Sequence, residues 1–552
     1  MRYMKALLTL YHFNIQFIAG DEATYHLNVV EGFEPLLDLY LKNPEWKADL
    51  ELQGHYLEFC EKEYPHVIDK LKELCERGQI ELISVHYSDQ IYLAYPKEDM
   101  ELSEKINSEV LSKYGLRRSK VFFAQENFFG PRVPKYMKNH GYEIALIDRS
   151  YYEYFRDLPE IAPYYKYDEI YVVLGRGEGF KYSNVEWSWL WYGDGEPVLT
   201  GKSPYSLFDY RTREEFVERL RDKIRSYRDR GYQLMTVGDF VEQLKSLGIT
   251  PSTLPQVPEG AWNMKDCRGV YQWMGFYASP YEMDVEIRSL TFKSRRYVLG
   301  ALSFIKWAKE KGYNVSEEEH ILNKAIKHQL LAEVSDSTGW SPTFVEVGYS
   351  IKEAHLAIFY SLRVIDSLKK KCNITEKIMI DTKNNTIMPF KGHQKEMRKA
   401  GLPITIDFVG DDISTKCYEL DKGVYLVRAE LKPKEGTAGF KVPLRVDYII
   451  YSPSLADDEV VVLNLDEYSC EKFYLPLPNG LLGIDKETFI VKNNETMHLA
   501  ATIDKPRRFV GFLTEGVPSY KQFKWEFYVI KGSAEQALNK ALEINVYPKL
   551  VV

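Results

Sequence analysis

Up to about residue 250, short apolar runs alternate with longer amphipathic stretches, a pattern that predicts βα units around a parallel sheet. The amphipathic stretches, which have helical periodicity, include residues 64–77, 103–114 and 212–230. Seven or eight parallel strands indicate a complete or incomplete (β/α) barrel. The predicted strands cover residues 5–11, 48–53, 80–85, 121–125, 144–148, 171–174, 187–192 and 233–237.

Beyond the turn-rich residues 250–260 the pattern changes twice. Residues 285–330 and 351–370 have helical periodicity with few strand signals. After residue 383, short alternating runs separated by turn residues are typical of an antiparallel β-sandwich. The predicted fold is therefore α/β, an incomplete parallel (β/α)7-type barrel followed by a helical domain and a C-terminal antiparallel β-sandwich. We place the three domains at residues 1–255, 256–378 and 379–552.

Composition narrows the class of protein. The chain has 552 residues, 45% hydrophobic and 28% charged, with a net charge of -8, so it gives no electrostatic case for binding nucleic acid or an anionic membrane. The apolar run near the N-terminus is too short for a signal peptide, and no run reaches the ~18 apolar residues of a transmembrane helix. We expect a cytoplasmic protein with buried thiols, and the sequence leaves association into a homo-oligomer open.

Two carboxylates come at the ends of predicted strands. Glu126 follows the apolar run 121–124, and Asp194 follows the aromatic run 187–192. Catalytic groups of parallel α/β barrels lie at such strand ends. Two carboxylates beside aromatic rings suit glycosidic bond cleavage, although an isolated Glu126 or Asp194 would equally serve as a polar strand terminator.

Short motifs along the chain resemble those of glycoside hydrolase family 57, and their order along a barrel is more specific than any one of them. The matching segments are Gly78-Gln79-Ile80-Glu81, Phe123-Ala124-Gln125-Glu126-Asn127, Gly193-Asp194-Gly195-Glu196, Gly260-Ala261-Trp262-Asn263 with Trp273, and Ala332-Glu333-Val334-Ser335-Asp336 with Trp340. The family's first motif usually reads His-x-His-Gln-Pro, whereas this chain has His12 followed by Asn14 in place of the second histidine. The fourth motif departs as well, since Pro197-Val198-Leu199 follows Glu196.

The resemblance implies a retaining α-glycosidase that acts on α-glucans or maltooligosaccharides. Glu126 would be the nucleophile and Asp194 the general acid/base, with a neighbouring carboxylate expected to raise the pKa of Asp194. If Asp194 were structural, Glu196 would be the next candidate. A 4-α-glucanotransferase or branching enzyme using the same residues is one alternative; a catalytically weakened carbohydrate-binding protein on the same barrel is the other.

Further residues are candidates for substrate binding, each with a structural alternative. His12 would bind a sugar hydroxyl or orient the nucleophile, and Glu81 would bind a hydroxyl or support His12. Trp189 and Trp191 are two residues apart and expected on one face of their strand, with Trp189 as interior filling. The candidate substrate-binding set is His12, Glu81, His55, Trp191, Trp262, Trp273, Asp336 and Trp340, with Asp89 as a weaker candidate.

Metal catalysis needs a separate test, because polysaccharide deacetylases and family 38 mannosidases, which are related barrels, bind zinc through His and Asp. A catalytic zinc site needs about three protein ligands. His12 and Asn14 form no obvious His-x-Asp or His-x-His pair, and no His-x-x-x-His motif follows on a helix. We therefore predict no catalytic metal and no cofactor.

Overall fold

The computed structural model describes residues 3–83, 86–262, 264–392 and 397–552. Parts of the predicted strand 80–85 and of the Trp262 motif, namely Ser84, Val85 and Asn263, lie outside the described residues. The chain divides into two compact units. The first comprises Met1–Asp89, Glu101–Val257 and Ala261–Lys265, and the second comprises Gln90–Met100, Pro258–Gly260 and Asp266–Val552. The three-domain division at residues 255 and 378 stays a prediction.

The first unit contains the predicted alternation of strands and helices. Its strands are β1 Met4–Phe13, β2 Ala48–Leu52, β3 Ile80–Leu82, β4 Val121–Phe122, β5 Ile144–Asp148, β6 Tyr165–Tyr167, β7 Ile170–Gly175, β8 Phe180–Tyr182, β9 Val185–Asp194, β10 Gln233–Met235 and β11 Ser252–Thr253. The helices are α1 Glu22–Leu27, α2 Glu34–Leu41, α3 Gly54–Glu63, α4 Pro65–Glu76, α5 Lys97–Lys113, α6 Val133–Asn139, α7 Arg149–Phe155, α8 Pro197–Thr200, α9 Glu214–Asp229 and α10 Val237–Ser246. The first four residues of α5 belong to the second unit.

The strands of this unit form two largely parallel sheets. In one, β1 pairs in parallel with β2, β9 and β10, β2 pairs in parallel with β3, and β8 is antiparallel to β9. In the other, β4, β5 and β7 are parallel, β6 is antiparallel to β7, and β11 pairs with β6. The predicted α/β class is confirmed. Among the described residues no closed ring of hydrogen-bonded strands connects the two sheets.

Both sheets contribute side chains to one hydrophobic core. The face of β1 that packs in this core leads to His12 at the end of the strand. Alternate residues of β1, namely Ala6, Leu8 and Leu10, pack in a cluster that also contains Phe123 and Trp189. Because successive residues of a strand alternate between its faces, His12 continues the Ala6–Leu8–Leu10 face at the carboxyl end of β1.

A β-bulge in β9 overturns one sequence prediction. Leu8 is opposite Trp189, but its neighbour Thr9 is opposite Trp191, so Leu190 is the extra residue. The bulge reverses the alternation of faces. Trp189 is 3% exposed in the core and Trp191 is 36% exposed, so the prediction that they share a face was wrong, whereas the prediction that Trp189 fills the interior is confirmed.

The second unit is helical in its first half and an antiparallel β region after that. Its helices are α11 Met264–Cys267, which begins in the first unit, α12 Asp284–Glu310, α13 Ser316–Ala332, α14 Phe344–Lys371 and α15 Ala534–Ala541. The helices α12, α13 and α14 pack against one another. The predicted helical segments 285–330 and 351–370 are thus confirmed as helices.

Antiparallel sheets follow these helices, as the sequence predicted. Their strands are β12 Ile378–Asp381, β13 Thr386–Pro389, β14 Arg398–Lys399, β15 Asp407–Val409, β16 Asp411–Asp421, β17 Val424–Lys432, β18 Thr437–Pro443, β19 Tyr448–Tyr451, β20 Val461–Asn464, β21 Lys472–Leu475, β22 Leu481–Gly483, β23 Thr488–Lys492, β24 Ala501–Asp504, β25 Phe509–Glu515, β26 Phe523–Lys531 and β27 Lys549–Val551. They form an eight-stranded, a five-stranded and a three-stranded sheet.

Candidate active site

His12 occupies the carboxyl end of β1 and is 3% exposed. Its Nδ1 hydrogen-bonds Oε2 of Glu51, which lies directly opposite it on β2 and is 1% exposed. Its Nε2 lies 4.0 Å from Oδ1 of Asp89. Sequence reasoning missed Glu51, which is one of two acidic residues, with Asp49, that alternate with apolar residues in the run 48–52.

Asp89 is the centre of a buried network of amides. Its Oδ2 accepts hydrogen bonds from the side chains of Asn14 and, at 2.6 Å, Gln125. Its Oδ1 accepts a 3.2 Å hydrogen bond from Nε2 of Gln53. The asparagine that replaces the family's usual second histidine is therefore part of the site, where it helps to hold Asp89 beside His12.

Glu126 is 8% exposed and lies in a tight turn just after β4. Both Glu126 and Asn127 have a φ of 52°, in the left-handed region that a residue with a side chain rarely adopts. Such strained residues are concentrated at functional sites. The Oε2 of Glu126 accepts a 2.7 Å hydrogen bond from the indole Nε1 of Trp262, and its backbone carbonyl accepts a 3.0 Å bond from the Trp262 amide.

Asp194 ends β9 and is directly opposite His12 in the strand register. Burial raises the pKa of Asp194, and the positive charges of His12 and Arg176 oppose that rise. The predicted direction of the shift thus agrees with the structure, whereas its largest cause is burial and not a second carboxylate. The backbone carbonyl of Asp194 accepts a 2.8 Å hydrogen bond from Nε1 of Trp191.

Glu196 is 1% exposed and stands two residues beyond Asp194. Its Oε1 accepts a 2.7 Å hydrogen bond from the backbone N–H of Asn14 and a 3.3 Å hydrogen bond from the side chain of Asn28. Burial, together with the negative charge of Asp194, raises the pKa of Glu196 to about 8. Glu196 is therefore protonated at neutral pH.

Arg176 is a second residue that sequence reasoning missed. It follows β7 and forms a 2.8 Å ion pair with Asp148, whose Oδ1 accepts a hydrogen bond from Ser150 N at the start of α7. The Arg176 guanidinium also lies over the indole of Trp262, 5.4 Å from the ring centroid. It therefore lies against the ring that hydrogen-bonds Glu126. No sequence motif predicts a role for Arg176, because it is a single basic residue in a polar loop.

Other predicted residues of the first unit lie in different surroundings. The Glu81 carboxylate accepts hydrogen bonds from Ser119 Oγ at 2.5 Å and from Gly238 N at 3.3 Å, at the start of α10. The carboxylate that hydrogen-bonds His12 is thus Glu51, where the sequence had suggested Glu81. His55 is the second residue of α3 and is half-buried, with the centroid of its ring 6.0 Å from that of Tyr87.

The remaining predicted aromatic and acidic residues belong to the second unit. Trp273 is fully buried, Trp340 is 55% exposed, and their rings meet edge to face with centroids 6.4 Å apart. Asp336 is half-buried. Because Trp273 has no exposed face, it does not offer a stacking surface, whereas Trp340 does.

Within the described ranges, no cluster of three or more His, Cys, Asp or Glu side chains has the arrangement needed to bind a metal ion. None of the helices in those ranges is both long and apolar enough to cross a bilayer.

The first unit brings buried carboxylates to the carboxyl ends of its strands, an arrangement that suits glycosidic bond cleavage. The model of glycosyl hydrolase family 57 matches residues 2–251, which confirms the resemblance of the motifs in this part of the chain.

Relatives of known name match shorter segments. The chain is 28% identical to alpha-amylase 1 of Dictyoglomus thermophilum over 122 residues, which are 22% of this chain and 18% of that protein. It is 26% identical to 4-alpha-glucanotransferase of Thermococcus litoralis over 117 residues, 21% of this chain and 18% of that protein. The matches therefore span less than a fifth of the length of these relatives.

The fold as a whole is similar to that of an alpha-mannosidase from Enterococcus faecalis V583. The similarity covers 100% of this chain and 90% of that one, with a TM-score of 0.64 and 9% identity. At this identity the similarity concerns the fold alone.

Proposed function

We propose that this protein is a retaining α-glycosidase that cleaves α-glucans or maltooligosaccharides by double displacement. The observation that carries the proposal is the pair of strand-end carboxylates in one unit. Glu126 is held by a donated hydrogen bond from Trp262, and Asp194 lies opposite His12 with its pKa raised by burial. The incomplete-barrel architecture and the three-domain division with a C-terminal β-sandwich are part of this proposal.

Glu126 attacks the anomeric carbon and forms a covalent glycosyl-enzyme intermediate. The hydrogen bond that Trp262 donates favours the ionised form of a carboxylate and fixes one of its oxygens. The other oxygen, Oε1, accepts a 3.4 Å hydrogen bond from Nε2 of Gln125. For retention the carboxyl groups of Glu126 and Asp194 must lie about 5–5.5 Å apart when substrate is bound.

Asp194 protonates the departing glycosidic oxygen and then takes a proton from the incoming water or sugar hydroxyl. A raised pKa favours the protonated form of this carboxyl before the first step. In the first unit His12 binds a sugar hydroxyl, and the exposed indole of Trp191 offers a stacking surface for a pyranose ring. In the second unit the exposed indole of Trp340 offers another.

The decisive experiment is turnover of an activated aryl α-glucoside, with the anomeric configuration of the first product followed by proton NMR. We expect an α product from the wild-type protein and a loss of several orders of magnitude in Glu126→Gln. Glu186→Gln is a matched control, because Glu186 is 9% exposed but lies at the opposite end of β9 from Asp194. A β product, or near-wild-type turnover by Glu126→Gln, contradicts the proposal.

A 4-α-glucanotransferase or branching enzyme is the second candidate, and the similarity to the 4-alpha-glucanotransferase of Thermococcus litoralis favours it. The two activities share the glycosyl-enzyme intermediate and differ in whether water or a sugar hydroxyl intercepts it. Products from maltooligosaccharides separate them, since a hydrolase releases only shorter chains and a transferase also makes longer or branched ones. Glucan binding with no turnover at all would instead favour the carbohydrate-binding alternative.

A further inference from the structure

We propose that Glu51 is a positioning residue of this site, which acts through His12 by fixing the orientation and the charge of its imidazole ring. The inference rests on the proposed function and deepens it. Glu51 belongs to none of the motifs that carry the family resemblance, and it reaches the site only because β2 pairs in parallel with β1.

Contacts at both ring nitrogens fix the orientation of the His12 imidazole. Nδ1 of His12 bonds Oε2 of Glu51, and Nε2 faces Oδ1 of Asp89 at 4.0 Å. The side chains of His12 and Glu51 are 4% and 1% exposed, so water does not compete for this contact. With a carboxylate on each side, the two nitrogens of the ring have separate and fixed partners.

Asp89 is the other carboxylate beside His12, but both of its oxygens already accept hydrogen bonds from side-chain amides. Side-chain amides of Asn14 and Gln125 donate to Oδ2, and that of Gln53 donates to Oδ1. Gln125 directly precedes Glu126 in the chain. A turn of the His12 ring would therefore disturb a network that reaches the residue next to the nucleophile.

The same contact determines the charge of His12. The charged groups that face the ring are Glu51 on β2, Asp89 in the loop after β3, and Asp194 at the end of β9. Burial disfavours the imidazolium, but the attraction and hydrogen bond of Glu51, with the charges of Asp89 and Asp194, outweigh it and raise the pKa of His12. The raised pKa favours the imidazolium form of His12, whose positive charge lowers the pKa of Asp194.

Glu51→Gln tests this role, because the amide keeps the shape of the side chain and removes its charge. His12 should lose its proton at a lower pH, and Asp194 should then keep its proton to a higher pH. We expect kcat/KM at neutral pH to fall by at least about tenfold, the effect of losing one hydrogen bond to a charged group. The basic limb of the pH profile should move upward. Glu51→Asp keeps the charge, so it should recover part of the lost kcat/KM and reverse part of the shift in the basic limb.

Asp49→Asn is the matched control. Asp49 is also a fully buried carboxylate of β2, two residues before Glu51, but it accepts its hydrogen bond from Val237 N. Its substitution should leave the pH profile of the enzyme in place. A folded Glu51→Gln protein with wild-type kcat/KM and a wild-type pH profile would overturn the inference.

A readout that needs no turnover separates this inference from the proposed function. In protein labelled with ¹⁵N-histidine, the His12 signals are assigned by their loss in His12→Gln. They should report a doubly protonated ring that persists to higher pH in the wild type and in Asp49→Asn than in Glu51→Gln. If the wild-type protein cleaves no α-glucoside, the proposed function fails, but the spectra still test whether Glu51 controls the charge of His12. Unchanged His12 signals in Glu51→Gln would overturn the inference.

Discussion

The indole Nε1 of Trp262 donates a 2.7 Å hydrogen bond to Oε2 of Glu126, and the backbone amide of Trp262 donates to the Glu126 carbonyl at 3.0 Å. The two residues are separated by 136 positions in the sequence. Sequence analysis had placed Trp262 among the candidates for substrate binding. At 9% exposed, the ring has little free face, and its direct contact is with the proposed nucleophile.

Trp262→Phe should therefore reduce kcat more than it raises KM, because it removes the donor to Glu126 while keeping an aromatic ring under Arg176. A hydrogen bond to a charged group contributes about 1.5–3 kcal/mol, which corresponds to about a 10- to 100-fold loss of kcat/KM. Trp189→Phe is the control, since it removes a buried indole N–H that donates to the Leu174 carbonyl at 3.3 Å. Equal losses in both variants would show that the effect is one of packing.

Asp194→Ala should impair substrates with poor leaving groups most, because only these need protonation of the departing oxygen. Azide should partly restore turnover of activated substrates, since it attacks the intermediate without base catalysis. The wild-type rate should fall as the pH rises through the raised pKa of Asp194, and this limb should be absent from the variant. Steady-state rates on a dinitrophenyl and an alkyl glucoside measure the effect. Equal losses on both, with no azide rescue, would make Asp194 structural.

Glu196→Gln should change how stability depends on pH. The folded protein holds a proton on Glu196 up to a pKa of about 8, whereas an unfolded glutamate loses it near 4.5. Between these values unfolding releases a proton, so the wild type loses stability from Glu196 as the pH rises. The neutral amide of Glu196→Gln removes this loss, and its thermal midpoint should fall less than that of the wild type between pH 5 and pH 8. A parallel fall in both proteins would refute the protonated state.

Trp340 and Trp273 form a natural pair for testing substrate stacking, as one is 55% exposed and the other fully buried. Trp340→Ala should raise KM for long glucans about tenfold, from a stacking energy of about 1–1.5 kcal/mol, and leave the thermal midpoint in place. Trp273→Ala should cost about 3–5 kcal/mol of folding stability and affect short and long substrates alike. An unchanged ratio of KM values for long and short substrates in Trp340→Ala would remove Trp340 from the binding surface.

The sequence by itself determined the elements and the two proposed catalytic carboxylates. Apolar runs of strand length and helical periodicity depend on neighbours close in the chain, so the strands, the helices α12 to α14 and the antiparallel region could be predicted. Glu126 and Asp194 could be found because each directly follows a recognisable strand. The α/β class follows from the alternation of these elements.

Only the tertiary structure decided which side chains meet at the strand ends. Glu51 reaches His12, and Trp262 reaches Glu126, through pairings between residues 39 and 136 positions apart, and no local pattern encodes such contacts. One extra residue at Leu190 turned Trp191 outward, since a bulge reverses strand alternation without leaving a signal in composition. The protonation of the site residues also depends on the tertiary structure. The pKa values of His12, Asp194 and Glu196 are set by burial and by neighbours that folding brings together.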